Sequence, residues 1–175
     1  MTETHAAATT VATLAGVPLF ASLPHSALAE VAAMLQERAL RAGELLFREG
    51  ERGDELFIVL AGQLLVVKAL GTPDERQLGL RGPGEFVGDL SLLGDDIPRS
   101  ATVRAEGVAR LLRLGRAELH ALLDRHPALA TTMLNLVGAR LTAAHAGAIR
   151  DLHERNQRLE RAYAELQAAQ AQLIE

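Results

Sequence analysis

Residues 84–105, GEFVGDLSLLGDDIPRSATVRA, combine residue types that suit recognition of a phosphate. Arg99 offers a planar guanidinium whose N–H groups match phosphate oxygens, and Ser100 beside it adds a hydroxyl donor. Glycines allow backbone N–H groups to come close to a ligand, and a short helix that begins near Asp89 would direct its positive end at an anion. The Asp89 carboxylate can also accept a hydrogen bond from a ribose hydroxyl. The segment therefore predicts a site for a sugar phosphate.

The composition of the 175 residues changes twice along the chain, and the three resulting zones predict the helices and strands that must hold this segment. Up to about Arg41 the Ala- and Leu-rich sequence has helical spacing, with Ser26 as a candidate N-cap. Between Gly43 and Gly115 lie 12 of the 15 glycines, which separate short apolar runs such as LFIVL and LLVV. Such runs are typical of strands joined by glycine turns. From Arg116 onward the composition is helical, so the predicted fold class is α+β, a β-roll or jelly roll flanked by helices.

The last zone carries a sustained seven-residue apolar repeat. Its d positions are Leu152, Leu159, Leu166 and Leu173, and its a positions are Ile149, Asn156, Tyr163 and Gln170. This repeat predicts helices wound left-handedly around one another, and a buried Asn156 favours a parallel pair in register. Arg155 at g can also meet Glu160 at e of the second helix. We therefore predict a parallel homodimer, with an interface of Leu141, Ile149, Leu152, Asn156, Leu159, Tyr163, Leu166 and Leu173. The alternative is a single amphipathic helix that lies on the domain.

Two motifs resemble one known family. The pattern Gly-x-Phe-x-Gly-acid-x-x-Leu-Leu, followed by Pro-Arg-Ser-Ala-Thr-Val, is similar to the phosphate-binding cassette of cyclic-nucleotide-binding domains of the catabolite activator protein type. The upstream stretch FREGERGDELFIVLAGQLLVV resembles the β-roll segment that precedes this cassette. The resemblance runs from about residue 14 to residue 141, and it implies the same fold.

The resemblance also implies roles for individual residues. Arg99 and Ser100 would hold the cyclic phosphate, and Gly88 and Leu90 would present backbone amides to it. Asp89 lies where the family usually has a glutamate that accepts a hydrogen bond from the ribose 2′-hydroxyl. The aspartate side chain is shorter by one methylene, and loss of such a charged hydrogen bond costs about 1.5–3 kcal/mol. A weak site, or one tuned to another nucleotide, is therefore expected.

The long helix supplies the rest of the predicted site. Arg140 matches a basic position that commonly faces the pocket in this family, and its alternative is a solvated helix arginine. The helix near Ala143 and Ala144 lacks the hydroxyl pair that reads adenine in the catabolite activator protein. The predicted ligand is therefore a cyclic nucleotide, with cAMP only slightly preferred over cGMP.

Several classes of function are not expected. The net charge of −4 gives no reason to predict nucleic-acid binding, and no helix-turn-helix module is present. The chain has no cysteine, which removes thiolate metal sites and fits a reducing compartment, so a cytoplasmic protein without a metal is expected. No apolar run reaches the roughly 20 residues of a membrane helix. No catalytic motif is found, so no enzyme is predicted in these residues.

Three regions are predicted: a flexible N-terminus (1–12), the β-roll with flanking helices (13–126) and a long helix that continues into the coiled coil (127–175). The final stretch, NQRLERAYAELQAAQAQLIE, resembles the connector that leads into the phosphotransfer helices of bacterial sensor histidine kinases. The predicted function is a cyclic-nucleotide sensor that relays its state through this coil to a downstream domain of the same polypeptide. The alternatives are a ligand-independent dimerisation scaffold, or a sensor of another metabolite or of a partner protein.

Overall fold

The structure is a computed structural model that describes residues 11–92 and 97–174 of the chain. The chain divides into two compact units, Met1–Leu134 and Asn135–Glu175. The predicted flexible segment 1–12 lies almost wholly outside the described residues. The predicted boundary between residues 126 and 127 coincides with the start of the last helix, although the first turns of that helix belong to the first unit.

Helices flank the strands of the first unit. A helical segment at residues 11–15 and a 3₁₀ turn at Pro18–Phe20 precede helix α1. The remaining elements, in chain order, are α1 (His25–Met34), β1 (Gln36–Leu40), β2 (Leu45–Phe47), β3 (Glu55–Ala61), β4 (Leu64–Lys68), β5 (Arg76–Arg81), β6 (Phe86–Val87), a 3₁₀ turn (Leu90–Leu92), β7 (Thr102–Ala105), β8 (Ala109–Gly115), α2 (Arg116–Arg125) and α3 (Pro127–Ile174).

The predicted N-cap of the first helix was wrong. Helix α1 begins at His25, so Ser26 lies inside the first turn, and the N-cap residue is Pro24. Pro24 has an extended backbone, with φ −67° and ψ 157°, and makes no side-chain capping bond. The proline ring fixes this φ and ends the preceding loop, which sets the helix start two residues earlier than the serine indicated.

The eight strands form two antiparallel sheets, with strand orders β1-β8-β3-β6 and β2-β7-β4-β5. The predicted β-roll is confirmed. Apolar side chains from both sheets form one core, whose buried members include Leu40, Phe57, Leu64, Val103 and Leu111. Burial of these side chains, at about 25 cal/mol per Å² of apolar surface, is the main contribution that holds the two sheets together.

Strand β5 lies at the edge of the second sheet. It pairs only with β4 among the described strands, with Lys68 opposite Arg76 and Leu64 opposite Arg81. Leu78 and Leu80 of this strand are about half exposed, at 51% and 46%. The sheet therefore presents an edge with two apolar side chains between two arginines.

The second unit consists of the greater part of α3, a helix of 48 residues that begins in the first unit. The predicted interface side chains on this part of the helix are 55–69% exposed where the structure gives an exposed fraction: Leu141, Ile149, Leu152, Leu159, Tyr163 and Leu166. Asn156 is exposed as well. The side chain of Leu173 lies outside the described part of the chain, and the dimer stays a prediction. No helix among the described residues is long and apolar enough to cross a lipid bilayer.

Candidate functional site

Arg99 lies in the loop that leads into β7, and its side chain is buried, with 4% exposed. The backbone of the loop is held by two hydrogen bonds to the segment that follows β2. The Arg99 N–H donates to the Glu51 carbonyl (2.8 Å), and the Gly50 N–H donates to the Arg99 carbonyl (2.8 Å). Both bonds fix the backbone of Arg99 between β2 and β7, and this sets the point from which its side chain extends.

The guanidinium points toward the turn that follows β6. Its Nη1 donates to the Ser91 hydroxyl (2.6 Å) and to the Gly88 carbonyl (3.1 Å). The Ser91 hydroxyl in turn donates to the Gly88 carbonyl (3.0 Å), so the three groups form a closed ring of hydrogen bonds. The buried Nε has no hydrogen-bond partner among the described residues. One nitrogen of Arg99 is therefore satisfied by neutral groups, and another keeps an unused donor.

Two glycines and one aromatic ring form the close surroundings of Arg99. The Arg99 Cζ atom lies 4.2 Å from the centre of the Phe47 ring, which is within cation–π distance. A Cβ atom at Gly53 would lie 2.4 Å from both Nε and Nη2, and one at Gly88 would lie 2.4 Å from Nη1. Gly88 also has φ +87°, a backbone conformation that side chains of L-residues disfavour. Glycine is therefore needed at both positions for Arg99 to lie where it does.

The electrostatic environment of Arg99 has two opposing contributions. Burial lowers the pKa of the guanidinium because it loses hydration, and four nearby carboxylates raise the pKa again: Glu55, Asp54, Glu51 and Asp89. Among the described residues no carboxylate lies within ion-pair distance of Arg99. The site therefore holds a buried cation in a moderately negative field, without a direct anionic partner in that part of the chain.

Asp89 is also buried, with 7% exposed, and it precedes the 3₁₀ turn at Leu90–Leu92. Its carbonyl accepts a hydrogen bond from the Leu92 N–H (3.0 Å). Where the short helix was predicted, the described residues form a 3₁₀ turn at Leu90–Leu92. Among the described residues, the positive charge of the site is that of Arg99.

Ser100 has a different position from its neighbour. It is exposed, and its carbonyl accepts a hydrogen bond from Lys68 Nζ (2.9 Å). Lys68 also forms an ion pair with Glu49 (2.6 Å), and a Glu49 carboxylate oxygen accepts the Ala69 N–H (2.8 Å). This cluster fixes the backbone of Ser100 against the end of β4 and leaves the residue open to solvent.

The structure thus places Gly88, Asp89, Arg99 and Ser100 in the first unit, within the segment that joins β6 to β7. Arg140 lies on α3 in the second unit, so its predicted role at the pocket stays a prediction. The ligand-binding roles of all these residues, including the backbone amide of Leu90, are likewise predictions. No group of three or more potential metal ligands is found in residues 11–92 and 97–174.

Three contributors were missed by sequence reasoning: Phe47, Ser91 and Lys68. Ser91 offered a signal, because it is a single hydroxyl between Leu90 and Leu92 in an otherwise apolar run. Phe47 and Lys68 offered none, because an apolar residue and a lysine in predicted strands are ordinary core and surface residues.

Comparisons with known proteins agree with this geometry. The sequence profile of the cyclic nucleotide-binding domain family matches residues 37–126. A cyclic nucleotide-gated potassium channel of Mesorhizobium japonicum is 38% identical over 117 residues, which cover 67% of this chain and 31% of the channel. The chain therefore spans about a third of the length of that relative.

Solved structures show the same fold. The catabolite activator protein of Thermus thermophilus is 33% identical, with a TM-score of 0.67, over 74% of this chain and 60% of that one. The regulatory domain of protein kinase A from Toxoplasma gondii, solved with cAMP, is 34% identical, with a TM-score of 0.60, over 67% of this chain and 44% of that one. With its two-sheet roll, its glycine-walled arginine and a profile match over half its length, this chain belongs to the cyclic nucleotide-binding domain family.

Proposed function

We propose that this chain is a regulatory domain that senses a cyclic nucleotide, and that Arg99 binds the phosphate. The observation that carries the proposal is the burial of the guanidinium with only neutral hydrogen-bond partners among the described residues. A buried charge without a direct ion-pair partner costs stability, and the four more distant carboxylates and the Phe47 ring offset only part of that cost. An anion that reaches Arg99 would remove this cost, so the site favours a negatively charged ligand.

The unused donors of Arg99 indicate how a phosphate would be held. Nη1 is occupied by Ser91 and Gly88, whereas Nε has no partner in the described part of the chain. No hydrogen bond from Nη2 to a described residue is present either. Nε and Nη2 lie on one edge of the guanidinium, and two parallel N–H groups on one edge suit two oxygens of a phosphate. Gly53 lies against this edge and Nε is buried, so a phosphate that uses both N–H groups requires the Gly53 backbone to move aside. Ser100, the next residue along the chain, is exposed and could add a hydroxyl donor.

The sugar of the ligand is expected next to Asp89. This carboxylate can accept a hydrogen bond from the ribose 2′-hydroxyl, although it is one methylene shorter than the glutamate usual in the family. The cAMP present in the Toxoplasma regulatory domain supports cAMP over cGMP as the ligand of this chain.

Calorimetric titration of the full chain with cAMP and with cGMP tests the phosphate site. Arg99→Met should weaken binding at least 100-fold, because both charged hydrogen bonds to the phosphate are lost. Arg110→Met is the matched control, since Arg110 is an exposed arginine whose ion pair with Glu37 (2.6 Å) lies on β1 and β8. The control should bind as the unmodified chain does.

Two other outcomes would contradict the proposal. No heat from either nucleotide would favour a ligand-independent scaffold. Binding of either nucleotide that survives Arg99→Met would show that a different pocket holds the ligand.

The sugar contact has a separate test. Asp89→Glu should strengthen cAMP binding about tenfold, because the longer carboxylate restores the reach usual in the family. Affinity that stays constant, with the melting temperature also unchanged, would show that this carboxylate does not contact the ribose.

We further propose that a second copy of the chain covers the exposed apolar face of α3 in a parallel dimer. Its support is the exposure of side chains at seven-residue spacing, such as Leu152, Leu159 and Leu166. Asn156 falls at an a position, where it would meet its own copy, and Arg155 can pair with Glu160 of the second copy. Each buried leucine contributes about 1.5–3 kcal/mol, so this stripe can hold a stable dimer.

Sedimentation equilibrium of variants tests the dimer. Leu159→Lys should produce a monomer at concentrations at which the unmodified chain is a dimer, because two lysines would face each other across the seam. Gln157→Lys places the same charge at a b position of the same helix and should leave the dimer intact. A monomeric unmodified chain, or equal effects of both lysines, would contradict this arrangement.

We infer that this dimer relays the nucleotide state to a further domain of a longer cytoplasmic protein. The resemblance of residues 156–175 to histidine kinase connectors supports a kinase as that domain. A chimera of the chain and a histidine kinase core should show autophosphorylation that changes when cAMP is added. Constant phosphorylation, with cAMP binding intact, would contradict the relay.

A further inference from the structure

Ser91 is the one polar side chain in the apolar run that follows Asp89, and it is almost fully buried, with 1% exposed. Its hydroxyl does two things at once. It accepts from Arg99 Nη1 (2.6 Å) and donates to the Gly88 carbonyl (3.0 Å). The bond to Gly88 closes a local turn, as hydroxyls often do in loops. The bond from Arg99 spans eight residues and has no such local purpose.

We propose that Ser91 is a positioning residue for Arg99, one that selects which edge of the guanidinium is presented to the ligand phosphate. This inference rests on the proposed function of Arg99. The arginine side chain has several rotatable bonds, and although Phe47 and the two glycines confine the guanidinium, the Gly88 carbonyl would be its only hydrogen-bond acceptor among the described residues without Ser91. Two acceptors on Nη1 fix the plane of the group, so the opposite edge, Nε and Nη2, already has one orientation beside Gly53 before the ligand arrives.

A second contact explains why the Ser91 hydroxyl can serve as a fixed point. The Ser91 carbonyl accepts a hydrogen bond from Arg116 Nη2 (2.7 Å), and Arg116 is the first residue of α2. The Arg116 N–H donates to the Asp54 carbonyl (2.7 Å), just before β3. Ser91 is thus anchored through its backbone on one side while its hydroxyl holds Arg99 on the other.

The test uses cAMP titrations of the full chain carrying Ser91→Ala. We expect an affinity about tenfold lower than that of the unmodified chain, because part of the binding free energy must now orient Arg99. Ser91→Cys should show a similar loss, since its thiol is a weak acceptor of nearly the same shape. Thr132→Ala, which removes a hydroxyl bonded to the Ala128 carbonyl (3.1 Å) and to the Ser22 hydroxyl (3.2 Å), should leave the affinity unchanged.

Two further measurements distinguish positioning from a purely structural role. In an Arg99→Lys background, Ser91→Ala should change the affinity by less than about twofold, because lysine has no guanidinium plane to orient. In ¹⁵N NMR spectra without nucleotide, rotation about the Arg99 Cζ–Nη1 bond should be slow in the unmodified chain and faster in both Ser91 variants.

The results that overturn the inference are separate from those that overturn the proposed function. If the unmodified chain binds cAMP and both Ser91 variants bind it equally well, Ser91 does not position Arg99. An equal loss with arginine or lysine at position 99 also overturns it, because the serine then acts on the fold alone. If the unmodified chain binds no nucleotide, both proposals fail together.

Discussion

Replacement of Gly53 by alanine should weaken nucleotide binding much more than it weakens the fold. A Cβ atom at this position would lie 2.4 Å from Nε and Nη2 of Arg99, whereas ordinary contacts begin near 3.4 Å. The guanidinium must therefore move by about 1 Å. This displacement is cheap for the fold, because the obstructing atoms are the end of a flexible side chain. It is costly for the site, because a shift of this size disturbs the hydrogen bonds from Nη1 to Ser91 (2.6 Å) and to Gly88 (3.1 Å) and changes the orientation of the guanidinium.

The expected loss follows from the bonds that depend on Arg99. One charge-assisted hydrogen bond contributes about 1.5–3 kcal/mol, so Gly53→Ala should weaken cAMP binding about 10- to 150-fold. Gly107→Ala is the matched control. Like Gly53, it lies in a loop without positive φ, but its new Cβ would meet nothing within 4 Å. Calorimetric titration gives the affinities, and thermal unfolding monitors the fold.

The pair of variants must differ in a specific way. Gly53→Ala and Gly107→Ala should melt within about 4 °C of each other, while only the former loses affinity. Equal affinities would refute the placement of Arg99 over Gly53. A loss of affinity accompanied by a large drop in melting temperature would mean that the glycine supports the fold and not the arginine.

Two further predictions concern stability. Gly88→Ala should lower the free energy of unfolding more than Gly43→Ala does. The positive φ costs each alanine variant about 1–2 kcal/mol. At Gly88 the new Cβ would also lie 2.7 Å from the Glu55 carbonyl oxygen, and no such contact exists at Gly43. Equal losses in urea denaturation would contradict this overlap. Hydrogen bonds from Lys68 and from a backbone N–H lower the pKa of Glu49, so the folded state holds its carboxylate ionised to lower pH than the unfolded state does. Glu49→Gln should therefore be less stable than the unmodified chain at pH 7, and the difference should shrink as the pH falls below the ordinary glutamate pKa of about 4.3 and vanish below the lowered pKa of the folded state, whereas a constant difference would contradict the assignment.

The fold could be predicted from the sequence because its signals are local and repeated. Glycine turns between short apolar runs determine the strands, and both ends of the roll are marked by changes in composition. Leu152, Leu159 and Leu166 are seven residues apart, which is close to two helical turns, so a helix places them on the same face. The start of α1 was misplaced because the ring of Pro24 overrode the capping preference of Ser26.

The candidate site was predictable in its residue types but not in its contacts. Arg99 could be identified because few residues suit a phosphate and a glycine-rich loop surrounds it. Its bond to the Gly88 carbonyl depends on a φ of +87°, and its bond to Ser91 depends on one 3₁₀ turn. The Phe47 ring reaches it from a distant strand. Such contacts arise from tertiary packing, for which a single sequence carries no periodic signal.

The edge strand β5 has a consequence for solubility. Its two half-exposed leucines, Leu78 and Leu80, are separated by a glycine and bounded by Arg76 and Arg81. Were two molecules to join their β5 edges antiparallel, the exposed Arg76 of each would be brought against the strand of the other, and the cost of desolvating these two charges would oppose the pairing. The charge of Arg76 thus opposes association of two molecules through this apolar edge, and a neutral residue at position 76 would remove that opposition.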